Sequence, residues 1–206
     1  MSGVGRIVIL NGAPRSGKSA IVTAIQEGCD VNWTNLGVDE AVRTTPPEFL
    51  PGIGLRPGGE RPDLENYVEQ RFAALYESVA TLSEQGRNVV VDVGHHESYS
   101  RPLGTLQAAA QRLEGLPAWL IGVMCPLEVV MQRRDRDPDA EYLGTTDDGE
   151  VPEPVRRWQI EVHRPGIYDA AVDTSVLTPG ACAQVIAHRL GAEPESLNRI
   201  AHGASG

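Results

Sequence analysis

A short glycine-containing segment, residues 12–19, constrains the fold of this chain more than any other feature. It reads Gly-Ala-Pro-Arg-Ser-Gly-Lys-Ser and matches the pattern GxxxxGK[ST]. The segment follows a continuous apolar run, residues 6–11, that predicts a buried strand, and it precedes a helix predicted over residues 17–27. A strand, a tight loop and a helix in this order turn successive backbone N–H groups towards an anion.

The expected ligand of this loop is a nucleoside triphosphate with Mg²⁺, and the alternative is a harmless glycine-rich turn. Lys18 is expected to reach the β- and γ-phosphates, and the Ser19 hydroxyl to bind Mg²⁺. Lys18 is also the only lysine among 18 basic residues, which indicates a position that needs a compact ammonium. The predicted nucleotide-binding residues are Gly12, Ala13, Pro14, Arg15, Ser16, Gly17, Lys18 and Ser19.

The rest of the chain predicts an α/β fold with a parallel sheet of about five strands and helices on both faces. Strand-like apolar runs at residues 33–36, 89–92, 119–124 and 171–173 alternate with helical patterns. We expect one domain over residues 1–190, with a proline-rich acceptor loop at 44–62 and a mobile lid at 133–153. Residues 191–206 are predicted to form a frayed tail.

Composition narrows the class of protein. The net charge of −10 disfavours a nucleic-acid partner, and no apolar stretch is long enough to span a bilayer. The three cysteines are scattered and the first residues show no secretory signal, so we expect a reduced, cytoplasmic setting with no membrane partner.

The ordered motifs resemble those of the chloramphenicol phosphotransferase-like family of P-loop kinases. They comprise Ile9-Leu-Asn-Gly12 running into Gly17-Lys-Ser19, Gly37-Val-Asp39, Val91-Asp92, Gly122-Val-Met-Cys125, the arginine cluster at 133–136, Gln159-Ile-Glu-Val-His163 and the run at 168–175. The resemblance implies transfer of the γ-phosphate of ATP to a hydroxyl of a small molecule, such as chloramphenicol or a related antibiotic. It leaves open a homo-oligomer, a kinase of nucleotides, sugars or nucleotide-sugars, and a non-catalytic nucleotide switch.

Two aspartates are candidates for the chemistry. The resemblance implies that Asp39, in the Gly-Val-Asp motif, is the general base, whereas its position alone also allows a helix N-cap. Asp92, at the end of a predicted strand, is expected to support Mg²⁺ with Ser19, and the alternatives are an acceptor contact or a cap.

The arginine cluster is interpreted as part of the lid. Helical spacing of three predicts that Arg133 and Arg136 face the transferring phosphoryl group, while Arg134 is rotated towards solvent. Residues 139–153 read as an acidic insertion relative to the family pattern.

The acceptor site is predicted around Asp39, His95, His96 and Phe49. The segment Gly94-His-His-Glu97 lacks the ligand spacing of a zinc site, so the histidines are interpreted as pocket lining or as ordinary surface polarity. Phe49 belongs to the 44–62 loop, from which we expect acceptor specificity.

Overall fold

A computed structural model describes residues 3–28, 32–136, 145–146 and 149–203. Within these ranges five parallel strands form one sheet in the order β2-β3-β1-β4-β5. The strands are β1 (Ile7–Asn11), β2 (Trp33–Asn35), β3 (Asn88–Val93), β4 (Ala118–Met124) and β5 (Ala170–Asp173). This confirms the predicted five-stranded parallel sheet.

Eight α-helices surround the sheet in the described part of the chain. They are α1 (Lys18–Gly28), α2 (Val38–Arg43), α3 (Glu65–Glu84), α4 (Thr105–Arg112), α5 (Leu127–Arg136), α6 (Glu153–Glu161), α7 (Pro179–Arg189) and α8 (Ser196–Ala201). Two short 3₁₀ turns, Pro47–Phe49 and Gly52–Gly54, lie between α2 and α3.

The alternation of side chains along β1 explains why both faces of the sheet are covered. Ile7 and Ile9 pack in the core that includes residues of α3, α4 and α8, whereas Val8 and Leu10 pack in the core that includes residues of α1 and α7. Every residue of β1 is buried. A continuous apolar strand is therefore required here, because successive side chains enter opposite cores.

The register brings the carboxyl ends of the central strands together. Asn11, the last residue of β1, pairs with Val93 of β3 on one side and Gly122 of β4 on the other. The loop 12–19 leaves β1 at this edge, and Asp92 lies one residue before the end of β3. Parallel sheets bind ligands at this edge, so the fold places the predicted phosphate loop and Asp92 where a ligand can reach both.

The prediction of a frayed tail is wrong for residues 196–201. They form α8, and Leu197, Ile200 and Ala201 are buried in the same core as α4. The buried carboxylate of Asp169 holds the start of this helix, since its Oδ1 accepts hydrogen bonds from the backbone N–H groups of Glu195 and Ser196. Residues 204–206 lie outside the described ranges.

The predicted lid is described only in part. Residues 137–144 and 147–148, which carry most of the predicted acidic insertion, lie outside the described ranges. Across the residues that the structure describes, no helix combines the length and the apolar character needed to cross a membrane.

Candidate active site

The loop between β1 and α1 adopts the conformation that phosphate binding requires. Gly17 has φ of +99° and Arg15 has φ of +67°, so the chain enters the left-handed region twice within three residues. The Lys18 ammonium folds back over the loop and donates to the carbonyl oxygens of Gly12 at 2.8 Å and Ala13 at 2.9 Å. A loop of this conformation before a helix directs backbone N–H groups towards an anion at the start of α1.

The electrostatics of Lys18 suit a phosphate ligand. Its side chain is only partly exposed, and the loss of water around the ammonium lowers its pKa to about 8, against an opposing effect of the Asp92 and Asp39 carboxylates. An ammonium that has lost hydration gains more from an incoming phosphate than one already solvated, because the surrounding medium screens the charge less.

Ser19 and Asp92 form the candidate Mg²⁺ site. The Ser19 hydroxyl donates to Asp92 Oδ2 at 3.3 Å. Burial raises the pKa of Asp92, and the neighbouring Lys18 ammonium opposes that shift. A hydroxyl and a buried carboxylate side by side at the phosphate loop are oxygen ligands of the kind Mg²⁺ prefers, so the residues fit this ion.

Asp39 lies on the same edge, at the start of α2. Gly37 occupies the N-cap position of this helix. Its backbone is extended, and no side chain makes a capping hydrogen bond there. Asp39 is therefore the second residue of the helix and does not cap it, which rules out the N-cap alternative. The charge of its carboxylate acts to raise the pKa of both Lys18 and Asp92, so the three groups lie within electrostatic reach of one another.

Gly37 allows α2 to approach β3 closely. A Cβ atom at this position would lie 1.5 Å from Asp92 Oδ1, well inside contact distance. The glycine is required here for space, because its φ of −75° is accessible to any residue. The missing side chain thus sets how near the Asp39 helix comes to the Asp92 carboxylate.

One cleft of about 1220 Å³ joins these residues. Its phosphate side is lined by Gly12, Pro14, Arg15, Gly17, Lys18, Ser19, Arg133, Arg134, Thr174, Leu177 and Pro179. A second, mainly apolar group of lining residues is termed the acceptor wall, because half of it belongs to the predicted acceptor loop: Val38, Val42, Leu50, Pro51, Ile53, Gly54, Leu55, Pro154, Val155 and Trp158. Asp39 and Asp92 also line the cleft, as do the charged residues Arg56, Glu60 and Arg61.

The arginine cluster is arranged differently from the prediction. Arg134 is buried and lines the cleft, whereas Arg136 is exposed and lies outside the lining. The reason is that Arg134 follows Val130 and Met131 by four and three residues and so shares the buried face of α5. Arg133 lines the cleft, and its guanidinium donates to the carbonyl oxygens of Arg15 and Thr174.

His95 and His96 do not line the cleft, and neither is a surface residue. His95 is 1% exposed, with Nε2 hydrogen-bonded to the Tyr76 hydroxyl and Nδ1 to the Thr105 hydroxyl. His96 is 2% exposed, and its Nε2 is hydrogen-bonded to the Leu55 carbonyl. Burial lowers the pKa of His95 to about 3 and that of His96 to about 4, so both act as neutral structural residues.

Phe49 is also absent from the cleft lining. Its ring stacks on Tyr67 with centroids 4.4 Å apart, while the next residue, Leu50, lines the acceptor wall. The 44–62 loop reaches the cleft through other residues, namely Leu50, Pro51, Ile53, Gly54, Leu55, Arg56, Glu60 and Arg61. The 3₁₀ turns decide which side chains face inward, and sequence spacing carries no periodic signal for so short a turn.

Trp158 was not predicted as a site residue, although it lines the cleft. Trp158 of α6 is 5% exposed and packs with Ala13 of the phosphate loop. A Cβ at Gly94 would lie 2.9 Å from the indole, so this glycine leaves space for the ring. Asn11, at the end of β1, connects the segment after α6 with the segment after β3. Its Nδ2 donates to the Val162 carbonyl at 2.7 Å, and its Oδ1 accepts from the His95 N–H at 2.8 Å.

The family comparison agrees with this geometry. The model of the family described as chloramphenicol phosphotransferase-like protein matches residues 5–191. The chain belongs to this family. No curated protein matches the chain significantly.

Solved structures show the fold. An APS kinase from Mycobacterium tuberculosis, bound to AMPPNP and APS, is 15% identical with a TM-score of 0.60, over 92% of this chain and 99% of that one. Shikimate kinase from Acinetobacter baumannii in complex with shikimate is 14% identical with a TM-score of 0.57, over 91% of this chain and 93% of that one. A tunicamycin resistance protein from Deinococcus radiodurans is 17% identical with a TM-score of 0.55, over 93% of this chain and 99% of that one. The chain has the P-loop kinase fold.

Proposed function

We propose that this member of the chloramphenicol phosphotransferase-like family transfers the γ-phosphate of ATP to a hydroxyl of a small molecule. The observation that carries the proposal is that Asp39 lines the same cleft as Lys18 and lies within electrostatic reach of it, next to an apolar acceptor wall. A nucleotide-binding switch needs the phosphate side alone, whereas a kinase needs a carboxylate and an acceptor site beside it.

Each group has a distinct role in this reaction. Asp39 orients the acceptor hydroxyl and takes its proton as the oxygen forms a bond to the γ-phosphorus. The bond from that phosphorus to the β–γ bridging oxygen breaks, and the leaving charge stays on ADP. Lys18 and the N–H groups of the loop stabilise the phosphate oxygens, to which Arg134 adds a cation from α5. Mg²⁺ held by Ser19 and Asp92 would neutralise further phosphate charge.

The acceptor wall indicates a neutral and largely apolar alcohol. Most of its side chains carry no polar group able to bind an anion. Arg61, at the edge of the cleft, has its charge offset by Asp63, to which it donates at 2.8 Å. An antibiotic such as chloramphenicol, or a related natural product, has this chemistry, and the family membership supports the same class.

A screen tests the proposal directly. The protein is incubated with γ-labelled ATP, Mg²⁺ and separate panels of hydroxylated antibiotics, nucleosides and sugars, and each product is analysed by mass spectrometry for the gain of one phosphate. We expect phosphorylation in the antibiotic panel. Nucleotide binding without transfer to any panel member would favour the switch, and transfer to nucleosides or sugars alone would favour the other kinase classes.

Asp39→Asn tests the role of the base. Asparagine cannot accept the proton, so we expect turnover to fall roughly 10²–10⁴-fold. The thermal stability and the nucleotide affinity should change little, because Asp39 is exposed and caps nothing. Glu40→Gln, on the same helix but outside the cleft lining, is the matched control and should keep full turnover. Full turnover by Asp39→Asn would refute the assignment.

A further inference from the structure

The phosphate loop has carbonyl groups that need partners. When a loop directs its N–H groups towards an anion, the carbonyls of the same peptides point the other way. The Ser16 carbonyl accepts from the Thr174 hydroxyl at 2.6 Å, and the Arg15 carbonyl accepts from Arg133 Nη1 at 3.2 Å. Both donors come from outside the motif, one after β5 and one on α5.

Thr174 and Arg133 also bind each other. Arg133 Nη1 donates to the Thr174 hydroxyl oxygen at 3.1 Å, and Nη2 donates to the Thr174 carbonyl at 2.8 Å. The backbone N–H of Thr174 donates to the Met124 carbonyl at 3.0 Å, which ties it to the end of β4. The hydroxyl directs its hydrogen to the Ser16 carbonyl at 2.6 Å, with the Met124 carbonyl at 3.5 Å as the more distant acceptor, and it accepts one hydrogen bond from the arginine.

The contacts act where the loop is strained. Arg15 carries a side chain in the left-handed region, a conformation that is unfavourable for a residue other than glycine unless its surroundings stabilise it. A Cβ at Gly17 would lie 3.3 Å from Arg133 Nη1 and from Thr174 Cγ2, so these two residues pack directly against the loop. The loop conformation thus depends on neighbours as well as on its own sequence.

We propose that Thr174 is a positioning residue for the nucleotide, because its hydroxyl, together with Arg133, holds the phosphate loop in its binding conformation. The inference rests on the proposed nucleotide-dependent function and adds a residue to it. Its ligand is the polyphosphate of a nucleoside triphosphate. Thr174 also lines the cleft beside the loop, where the polyphosphate would bind.

The test compares Thr174→Val, which keeps the shape and removes the hydroxyl, with Thr174→Ser, which keeps the hydroxyl. Thr81→Val, on the exposed side of α3, is the matched control. Each variant is measured for binding of a fluorescent ATP analogue, for the KM of ATP and of the acceptor, for kcat and for melting temperature. These readouts separate a weaker nucleotide site from a less stable fold.

Loss of two hydrogen bonds predicts a roughly tenfold weaker nucleotide affinity and higher ATP KM in Thr174→Val. The acceptor KM should stay the same, Thr174→Ser should lie within about twofold of the wild type, and Thr81→Val should not differ.

The experiment distinguishes failure of the proposed function from failure of the inference about Thr174. Absence of analogue binding by the wild-type protein would overturn the proposed function and the inference with it. Normal binding by both the wild type and Thr174→Val would overturn the inference alone, as would a serine variant as weak as the valine variant. If Thr174→Val does not fold, Arg133→Lys takes its place, since lysine loses the two-pronged contact and should weaken binding similarly.

Discussion

The phosphate side and the acceptor wall of the cleft are built in different ways. On the phosphate side, side chains bind the carbonyls of Gly12, Ala13, Arg15 and Ser16, so hydrogen bonds from side chains hold the backbone at four of the eight loop residues. The acceptor wall is formed largely by apolar side chains, and Leu50, in the segment between the two 3₁₀ turns, is 39% exposed.

This difference separates chemistry from selectivity. Hydrogen bonds fix direction as well as distance, which suits the constant geometry of phosphoryl transfer. Apolar contacts depend on area and shape and tolerate substitution more readily. We therefore expect substitutions on the phosphate side to affect every acceptor equally, and substitutions in the acceptor wall to change the choice among acceptors.

The largest effect is expected at Lys18. Lys18→Ala should reduce transfer to background for any acceptor while the protein stays folded, because the ammonium binds only loop carbonyls and contributes nothing to the apolar cores. Lys18→Arg should also be severely impaired, since the planar guanidinium does not fit this enclosed position. Turnover and melting temperature are measured together, with the exposed Arg87→Ala as the control for loss of a cation. Normal turnover in Lys18→Arg would contradict the prediction.

The next largest effect separates Arg134 from Arg136. Arg134→Ala should lower kcat by roughly 10- to 100-fold, because this cation lines the cleft where phosphate charge develops. Arg136→Ala should stay close to wild type, since the side chain is exposed outside the cleft lining. Steady-state kinetics with saturating ATP measure both. A larger loss in Arg136→Ala would restore the helical-face argument from the sequence.

The pH dependence of nucleotide binding should follow Lys18. Phosphate binding favours the protonated ammonium, whose pKa in the free protein is about 8. The nucleotide affinity should therefore be highest and constant well below this pH, and it should fall above it by up to about tenfold per pH unit. Binding is measured from pH 7 to 9.5 by titration calorimetry. Lys18→Arg keeps its charge, so its weaker affinity should not depend on pH over this range, and an equal slope in both proteins would contradict the assignment.

The smallest effect is expected in the acceptor wall. Leu50→Ala removes apolar contact area and should raise the acceptor KM roughly fivefold without changing nucleotide affinity. Phe49→Ala is the matched control, because its ring stacks on Tyr67 outside the cleft lining. An equal effect of both substitutions on the acceptor KM would show that the 44–62 loop acts as a whole rather than through Leu50.

The phosphate side was predictable because its information is local. The residues that make the loop are contiguous, and the glycine positions and the following helix follow from their own conformational rules. The alternation of strands and helices likewise predicted the sheet, since buried parallel strands need continuous apolar runs.

The errors arise where a residue's place depends on distant parts of the chain. The spacing argument that grouped Arg133 with Arg136 could not show which face of α5 packs inward. The buried face is the one that carries Val130, and Arg134 lies on it. His95 and His96 look like site residues in sequence, but distant residues hold them in the core: Tyr76 and Thr105 bind both ring nitrogens of His95, and the Leu55 carbonyl binds Nε2 of His96. The short helix α8 became stable through contact with α4 rather than through its own propensity.

The close approach at Gly37 has a consequence for how this scaffold can be redesigned. Only a hydrogen atom fits between the start of α2 and the Asp92 carboxylate, so hard contact limits how near the two come. Ile53, in the second 3₁₀ turn, and Leu50, just before that turn, are not part of this contact. New acceptor preferences can therefore be introduced through residues 50–55 without changing this contact, whereas even a methyl group at residue 37 would force α2 or the Asp92 carboxylate to shift.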